Sequence, residues 1–578
     1  MLNSKTRMDD TNSLIEQRKA KLAALRAKGI DPFKNKFAPG ETCQQARDHY
    51  AAGREVALAG RVTAHRDMGK SMFMDLRDQS GRIQIYAQRN VLGDEQWSIF
   101  THLDLADFIG VRGTMFTTRT GEISVKITSF VILAKALRPP PAKWHGLEDT
   151  EIRYRQRYLD LMANPEVKNV FLKRSEIIRE IRNFLHERGF VEVETPMMQA
   201  IPGGAAAQPF KTHHNALGCD FYLRIALELP LKRMLVGGVD KVFEIGRVFR
   251  NEGLSRKHNP EFTMLEAYQA FGDYESMMEL VQAMICHVAQ KVLGTLKIER
   301  NMLPQLSWAL QKLVMYVGFQ NISDLKLRKI AENWDNLFDK TNDPKKVCEV
   351  AKEIRTQFDE MGNAIEKHIQ EHYGEDATRI IELLKSQRQQ LEILGEPAEP
   401  IDLEHWGKIK YKDLVRKKAG ADWFEVSPAE RRKRAESLGA EIGKEYEDFE
   451  VTQAVFEKLI EPTLIQPTFV THAPKELIPL AKLSPDDPTT VEVFECCING
   501  QEIAPAYTEQ NDPIEQRERL EHQAGGEQQK LDEDFLVALE HGMPPAGGMG
   551  MGIDRLCMML LGQESIRDVI LFPQLKPK

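Results

Sequence analysis

The sequence predicts a multidomain α+β protein: an N-terminal β-barrel, followed by a mixed α+β domain that a helical insertion interrupts. Three observations support this fold class. Short strand-like runs separated by Gly-containing turns fill residues 56–133. Helical and strand-like periodicities alternate after residue 165 and again after residue 449. The segment between them is long, charged and poor in glycine. With 578 residues, the chain has the length of two to four domains.

The composition is that of a globular protein, with 42% hydrophobic and 28% charged residues. No stretch approaches the roughly 18 apolar residues of a membrane span, and the N-terminus lacks the apolar core of a secretory signal. We therefore expect no membrane association and a cytoplasmic location. The cysteines form no C-x-x-C pair, which argues against a zinc site or a disulfide framework.

Residues 1–50 are predicted to form a basic helical extension. Residues 1–36 contain nine Lys or Arg and four acids, a balance of +5, although the whole chain carries a formal charge of −8. Leu14, Leu22 and Leu25 recur at near-helical spacing within residues 13–28. The basic side chains could contact an RNA backbone or form a solvated helix face, and the sequence leaves both open.

Residues 51–140 are predicted to form the barrel. Five strand-like runs between Val56 and Leu133 favour an oligonucleotide-binding (OB) fold, although strand count alone also allows other small β-domains. Three consecutive prolines, residues 139–141, then predict a stiff linker.

The predicted α+β domain has two parts, residues 141–300 and 446–578, separated by a helical insertion at residues 301–445. The insertion contains helix-forming segments but no catalytic signal. It could be an RNA-contacting arm, a partner-binding helical domain or a passive excursion.

The most specific pattern combines residues 249–253, Phe-Arg-Asn-Glu-Gly, with residues 258–268, His-Asn-Pro-Glu-Phe-Thr-Met-Leu-Glu-Ala-Tyr. Strand-like pieces flank a polar loop. Such a hairpin can present Arg250 as a fork donor to a phosphate or carboxylate, and Phe262 as a stacking surface for a purine. Taken singly, each residue is more often a salt-bridge arginine or a core phenylalanine.

A glycine-rich pattern closes the chain. Residues 547–556 read Gly-Gly-Met-Gly-Met-Gly-Ile-Asp-Arg-Leu, so alternating glycines allow close backbone approach and Arg555 begins a helix. A dinucleotide-binding loop is the competing interpretation, but the spacing is not G-x-G-x-x-G. Glu495 and Glu502 could converge across a sheet on a hard divalent cation, or be two surface glutamates.

These strings closely resemble the second and third signature motifs of class II aminoacyl-tRNA synthetases, in the form typical of the lysyl-tRNA synthetase family of subclass IIb. Residues 153–161 and 190–196 resemble the first motif, which implies a homodimer. The resemblance covers nearly everything except the insertion. It implies an OB-fold anticodon-binding barrel and a catalytic domain built on an antiparallel sheet. It also implies ATP-dependent activation of L-lysine to lysyl-adenylate, with release of pyrophosphate, and transfer of lysine to the 3′-terminal adenosine of tRNA(Lys).

The resemblance also assigns roles to individual residues. Arg250 and Arg555 would be catalytic, and Glu495 and Glu502 would hold Mg²⁺ on ATP. The positions implied to bind ATP are Arg250, Glu252, Lys257, His258, Asn259, Phe262, Glu495, Glu502 and Arg555. Those implied to bind lysine are Gly204, Glu228, Arg250, Glu266, Tyr268, Tyr507, Glu509 and Gly550. Those implied to read the anticodon are Phe73, Gln84 and Glu122.

The acidic residues favour lysine as the substrate, because a dry pocket that accepts two ammonium groups must supply carboxylates. Two positions depart from the family pattern. Pro505 stands where the family usually has Asn, which would help to bind the substrate carboxylate, and Lys257 stands where it usually has Arg. A relative specific for asparagine or aspartate is one alternative. An RNA-binding or signalling module that has lost aminoacylation is another, although such a module has no need of the ATP-binding residues.

Overall fold

The computed structural model describes residues 2–140, 147, 149–300, 399–522 and 531–577. These residues belong to two compact units, Met1–Asn164 and Pro165–Lys578. Each unit is described below by itself.

The first unit is built around a closed barrel. Its strands are β1 (Glu55–Asp67), β2 (Ser71–Arg77), β3 (Arg82–Gln88), β4 (Phe108–Thr117) and β5 (Ile123–Ala134). They follow the order β1-β2-β3-β5-β4, and β1 closes the barrel by pairing with β4. Alternate residues of each strand point inward, so Leu58, Leu76 and Ile85 are fully buried. The predicted five-stranded OB-type barrel is confirmed.

Helices accompany the barrel: α1 (Leu2–Ala27), α2 (Cys43–Asp48), α3 (Arg89–Phe100), α4 (Thr150–Arg155) and α5 (Arg157–Ala163). The predicted apolar stripe on α1 is wrong by one position, because Leu14 is exposed whereas Ile15 and Leu22 are buried. Arg18 lies on the same buried face and donates hydrogen bonds to the carbonyls of Ala136 and Arg138. Those bonds fix which face of α1 meets the barrel.

The described residues of the second unit form a large mixed sheet and two smaller ones. Its strands are β6 (Val191–Glu192), β7 (Met198–Gln199), β8 (Lys211–His214), β9 (Cys219–Leu223), β10 (Lys241–Phe249), β11 (Glu261–Ala270), β12 (Lys297–Ile298), β13 (Ile401–Asp402), β14 (Gly407–Lys410), β15 (Thr468–Thr471), β16 (Val493–Ile498), β17 (Gln501–Thr508) and β18 (Ala546–Gly552). The eight-stranded sheet has the order β14-β15-β16-β17-β18-β11-β10-β6. Only its two outermost pairs are parallel, so its centre is the expected antiparallel sheet.

The helices of this unit are α6 (Pro165–His186), α7 (Glu228–Val236), α8 (Tyr274–Leu293), α9 (Tyr411–Ala419), α10 (Pro428–Ser437), α11 (Asp448–Val455), α12 (Pro513–Glu521), α13 (Glu533–Glu540), α14 (Ile553–Leu560) and α15 (Ile566–Val569), with a π-helical turn at Phe456–Ile460 and a 3₁₀ turn at Glu461–Thr463. Helices α6, α8 and α14 bury one face of the sheet in the largest apolar core. Helices α7 and α13 pack with residues of the opposite face.

This arrangement decides which strand residues are available for chemistry. In β11, Leu265 and Ala267 belong to the large core, whereas Glu266 and Tyr268 point to the other face. In β18, Met549 and Met551 belong to the core, although Met549 also borders the first cavity, and Gly548 and Gly550 lie on the opposite face. The period of two along a strand therefore separates packing from function.

Residues 301–398 of the predicted helical insertion lie outside the described residues. The remainder of that segment, residues 399–445, contains helices α9 and α10 and also two short strands. Strand β14 forms the edge of the large sheet by pairing in parallel with β15, and β13 pairs with β12. These residues therefore contribute to the same sheets as the flanking chain. Across the described ranges, no helix is both long and apolar enough to span a lipid bilayer.

Candidate active site

The functional face of the large sheet holds a cavity of about 290 Å³. Acidic and aromatic side chains from α7, β11 and β17 line it, together with glycine backbone from β18. From the predicted lysine-binding set, the lining residues are Gly204, Glu228, Arg250, Glu266, Tyr268, Tyr507 and Gly550. Glu495, Glu502 and Pro505 also line it. Residues distant in sequence thus meet in one place.

A second cavity, of about 210 Å³, lies beside the first. Its lining includes Arg250, Glu252, Lys257, His258, Asn259, Phe262, Glu502 and Arg555, which are eight of the nine predicted ATP-binding residues. The ninth, Glu495, lines only the first cavity. Arg250 and Glu502 line both cavities. A reacting group that moves from one cavity into the other would therefore pass the side chains of Arg250 and Glu502.

The first cavity is strongly acidic. Glu228, Glu266 and Glu509 are all nearly inaccessible to solvent. The hydroxyl of Tyr507 donates to Glu228 at 2.5 Å, and that of Tyr268 donates to Glu266 at 2.9 Å. Glu266 also accepts from the backbone N–H of Leu227 at 3.0 Å. Burial, together with the charge of Glu228, raises the pKa of Glu266 to about 7.

Glu509 occupies a different position from the other two acids. It does not line the cavity, but its Oε1 lies so close to Gly548 that a Cβ there would approach within 2.0 Å. Glycine is therefore required at position 548. The fully buried ammonium of Lys232 contacts Glu509 and lies 2.6 Å from Glu228. Burial raises the pKa of Glu509, and Lys232 acts in the opposite direction.

Arg250 follows the last residue of β10, at the junction of the two cavities. Its Nε donates to the carbonyl of Ile225 at 3.3 Å, and its guanidinium lies 5.4 Å from the centre of the Phe262 ring. Burial lowers its pKa from the ordinary arginine value, but an arginine remains charged at neutral pH. The guanidinium can therefore bind a carboxylate and a phosphate where the cavities meet.

Arg555 lies in the first turn of α14. Its Nη1 donates to the carbonyl and to the carboxylate of Glu502, at 3.1 and 3.3 Å, and its Nη2 lies 3.3 Å from Nε2 of His258. The neighbouring Asp554 is buried and fixes this turn, because it accepts from Arg174 and from the N–H of Thr263. Burial, together with the positive charges of Arg555 and Lys257, lowers the pKa of His258.

The acids Glu495 and Glu502 lie on β16 and β17, where a bulge shifts the register between Cys496 and Cys497. Burial and the charge of Glu502 raise the pKa of Glu495 well above its usual range. Glu461 is a third acid nearby, which accepts from the N–H of Glu502 at 3.3 Å. Carboxylates gathered in this way are suited to a hard divalent cation.

Lys257 was predicted to contact phosphate. Its ammonium donates to the carbonyl of Gly500 at 2.8 Å and to Glu461 at 3.4 Å. Pro505 is the direct cross-strand partner of Glu495, and the ladder between β17 and β18 begins one residue later, at Ala506. The missing N–H of proline therefore falls where this ladder has not yet begun.

The barrel carries a second candidate site. Phe73 and Tyr86 are direct partners across β2 and β3, with ring centres 4.6 Å apart, and Phe116 lies 5.8 Å from Tyr86. All three are half-buried. Gln84 is buried and accepts a hydrogen bond from Ser124, while Glu122 accepts from Arg47 and Arg82. The aromatic row offers a stacking surface for bases.

Four residues of these sites were missed in the sequence analysis: Lys232, Glu461, Tyr86 and Phe116. The two aromatics could have been found, because their strands alternate inward and outward positions in register with Phe73. Lys232 lies four residues after Glu228 on a helix, which reads as an ordinary i,i+4 pair. Nothing in the local sequence indicates Glu461.

Comparison with known proteins agrees with this geometry. Residues 149–576 match the family of class II tRNA synthetases (D, K and N), and residues 56–133 match the OB-fold nucleic acid binding domain. Proteins named lysine–tRNA ligase are similar over nearly their whole length. The relative from Pelotomaculum thermopropionicum is 43% identical over 100% of this chain and 98% of its own. The relative from Carboxydothermus hydrogenoformans is 43% identical, over 98% and 99%.

The relative from Bacillus subtilis is 41% identical over 99% of this chain and 97% of its own. The family match covers most of the second unit, including both cavities, and the OB-fold match covers the barrel. The chain therefore belongs to the class II tRNA synthetases of the D, K and N group.

Proposed function

We propose that this enzyme is a lysine–tRNA ligase, which activates L-lysine with ATP and transfers it to the 3′-terminal adenosine of tRNA(Lys). The observation that carries the proposal is the set of three buried glutamates, Glu228, Glu266 and Glu509, in and beside the first cavity. The relatives named lysine–tRNA ligase support the same substrate.

Charge decides between the amino acids that this family accepts. Lysine carries two ammonium groups and one carboxylate, so it needs anionic partners for the former and a cation for the latter. Glu228 and Glu266 line the cavity, and Arg250 lies at its junction with the second cavity. Aspartate in the same cavity would place its side-chain carboxylate among glutamates, and asparagine would leave a buried carboxylate unpaired.

We assign ATP to the second cavity. Phe262 would stack on the adenine ring, and Arg250 and Arg555 would bind phosphate oxygens. In the first step the lysine carboxylate attacks the α-phosphorus, a bond forms between them, and pyrophosphate leaves. No nucleophilic side chain takes part. The two guanidiniums stabilise the charge that moves from the attacking carboxylate to the pyrophosphate.

Magnesium fits the acids of this site. Glu495 and Glu502 offer the carboxylate oxygens that this cation prefers, and burial together with the charge of Glu502 raises the cost of ionising Glu495. When bound, Mg²⁺ would neutralise negative charge on the phosphates of ATP. Glu461 would support these residues by accepting the N–H of Glu502.

We assign anticodon recognition to the barrel, through Phe73, Gln84 and Glu122. The row formed by Phe73, Tyr86 and Phe116 supports stacking of unpaired bases. Glu122 and its two arginines could offer charged groups to base edges or phosphates. Gln84 keeps its amide N–H groups for a base, because its bond to Ser124 uses the oxygen.

We propose that the enzyme is a cytoplasmic homodimer, as the first-motif resemblance implies. Leu172, Val191, Met197 and Met198 are large apolar residues that remain exposed near this motif. Such side chains are typical of a surface that a second subunit covers. Sedimentation equilibrium of the full chain would test this, with a monomer at micromolar concentration contradicting it.

The function is tested by exchange of labelled pyrophosphate into ATP, with lysine, asparagine or aspartate as the amino acid and with magnesium present. We expect exchange with lysine alone, followed by charging of tRNA(Lys). Exchange with asparagine or aspartate would reassign the substrate. Folded protein that exchanges with none of the three would instead support an RNA-binding module.

A further inference from the structure

Lys232 is the most deeply buried cation near the first cavity. It lies on α7, one turn after Glu228, and its side chain is fully inaccessible to solvent. Its ammonium is 2.6 Å from Glu228 and also contacts Glu509. It does not line the cavity, so it would not touch a bound amino acid.

The surroundings of Lys232 exclude water and leave carboxylates as its partners. The rings of Tyr507, from β17, and Phe535, from α13, lie 5.6 and 5.8 Å from its ammonium. Glu266 and Tyr268 on β11 are the further ionisable residues close to Glu228 and Glu509. Because an unpaired buried charge is costly, this ammonium and its two carboxylates stabilise one another.

Lys232 brings one of the two positive charges beside the three buried glutamates, and Arg250 brings the other. Glu476, Glu495 and Glu502 also line the cavity, so the acids around it outnumber the basic groups. A lysine molecule carries one net positive charge and offsets part of this excess, whereas aspartate would add a further negative charge.

Resting on the proposed function, we propose that Lys232 is a positioning residue that sets the charge of the lysine cavity. It holds Glu228 and Glu509 as carboxylates in fixed positions, so that the cavity keeps the negative charge that favours a cationic amino acid. Glu228 remains on the cavity wall, and Oε1 of Glu509 lies against Gly548 of β18, a residue that lines the cavity. The charge of Glu509 therefore acts on the cavity from behind Gly548.

A purely structural ion pair would behave differently. Its loss would lower the thermal stability and the fraction of active protein, but each folded molecule would bind lysine as before. Loss of a charge-setting residue would instead raise the pKa of Glu509, so that less of it is ionised at neutral pH. Lysine binding would then weaken about tenfold for each unit by which that pKa exceeds the pH of the assay.

The test uses full-length Lys232→Met, which removes the charge from a side chain of similar length, and Lys232→Gln, which can still donate to a carboxylate if the first variant folds poorly. Lys135→Met is the matched control, because Lys135 is equally buried and also pairs with two carboxylates, Asp104 and Asp107, in the barrel. Lysine-dependent pyrophosphate exchange is measured from about pH 6 to about pH 9, with norleucine as a neutral analogue.

For the Lys232 variants we expect the KM for lysine to rise at least about tenfold at neutral pH, with a smaller change in kcat. The acid limb of kcat/KM should move to higher pH, and discrimination against norleucine should fall. Lys135→Met should change none of these. Folded Lys232 variants with the wild-type KM, pH profile and discrimination would overturn the assignment of Lys232 alone. Wild-type protein without lysine-dependent exchange would overturn the proposed function, and this inference with it.

Discussion

The hydroxyl of Tyr507 donates a 2.5 Å hydrogen bond to the carboxylate of Glu228. The two residues come from β17 and α7, and both line the first cavity. The bond holds one carboxylate oxygen in place, so the other is free to face a substrate ammonium. The orientation of Glu228 therefore depends on a residue almost 280 positions away in the chain.

We expect Tyr507→Phe to raise the KM for lysine about tenfold, because a hydrogen bond to a charged group contributes about 1.5–3 kcal/mol. The kcat should change less. The measurement is pyrophosphate exchange at varied lysine concentration. Tyr411→Phe is the control, since it removes a tyrosine hydroxyl that donates to Gln453 and not to an acid of the first cavity. Equal effects of both variants on KM would contradict a role for this bond in binding.

Pro505→Asn should tighten lysine binding. The substitution supplies an amide beside the cavity, where the family pattern has one, and a hydrogen bond of about 1 kcal/mol corresponds to a fivefold lower KM. Gly550 leaves room for it, because a Cβ there would still be 4.0 Å from the Pro505 side chain. Steady-state exchange kinetics would measure the effect. A raised KM in a folded variant would show that the proline ring suits this cavity better than the amide.

Arg555→Lys should slow activation. The substitution keeps the charge but loses the fork that contacts Glu502 and His258. We expect kcat for pyrophosphate exchange to fall about a hundredfold, equivalent to about 3 kcal/mol of transition-state stabilisation. Arg517→Lys is the control, because Arg517 pairs with Glu533 at an exposed site. An undiminished kcat in Arg555→Lys would exclude a catalytic role for the guanidinium.

The stability of the substrate-free enzyme should fall as the pH rises through neutrality. Burial raises the pKa of Glu266 to about 7, so the folded state holds this proton more tightly than the unfolded state does. The resulting stabilisation is complete below the ordinary glutamate pKa and is lost as the pH passes about 7. It amounts to about 3 kcal/mol at most.

Urea unfolding at about pH 5 and about pH 8 would measure this loss. We expect the midpoint to fall less in Glu266→Gln, which cannot ionise. Added lysine should stabilise the wild type more at the higher pH, where the cavity acids are ionised. An identical pH dependence in wild type and variant would show that Glu266 does not titrate in this range.

Phe73→Ala should impair tRNA charging without affecting lysine activation. Loss of one stacked base costs about 1–3 kcal/mol, which predicts a raised KM for tRNA(Lys) in aminoacylation. Pyrophosphate exchange without tRNA should match the wild type. Phe108→Ala is the control, because this barrel phenylalanine packs against Arg61 instead of the row around Tyr86. A normal KM for tRNA in Phe73→Ala would remove the row from recognition.

Much of the fold follows from local sequence. The barrel strands alternate inward and outward residues, and the hairpin of Arg250 and Phe262 lies within a single stretch of chain. Such patterns can be recognised in the sequence without knowing which other residues they contact. The stripe on α1 was misplaced because its face depends on hydrogen bonds from Arg18 to residues more than a hundred positions away.

The same limit explains the site residues that were missed. Lys232 pairs with Glu228 on its own helix and with Glu509, which follows the end of β17. Glu509 is distant in the sequence, and only the fold brings it close to Lys232. Glu461 lies on a 3₁₀ turn and meets Glu502 across 41 positions. The spacing of residues along the chain does not indicate such contacts.

Met551 of β18 is fully buried in the large core and lines neither cavity, whereas Gly548 and Gly550 of the same strand line the first cavity. A substitution at Met551 should therefore leave the cavity wall unchanged. Methionine adapts readily to altered packing, so Met551→Leu offers a way to adjust thermal stability while the substrate-facing surface keeps its shape. Position 548 has no such freedom, because any side chain there would collide with Glu509 and Tyr268. One short strand can thus be a target for stabilisation on one side while being closed to variation on the other.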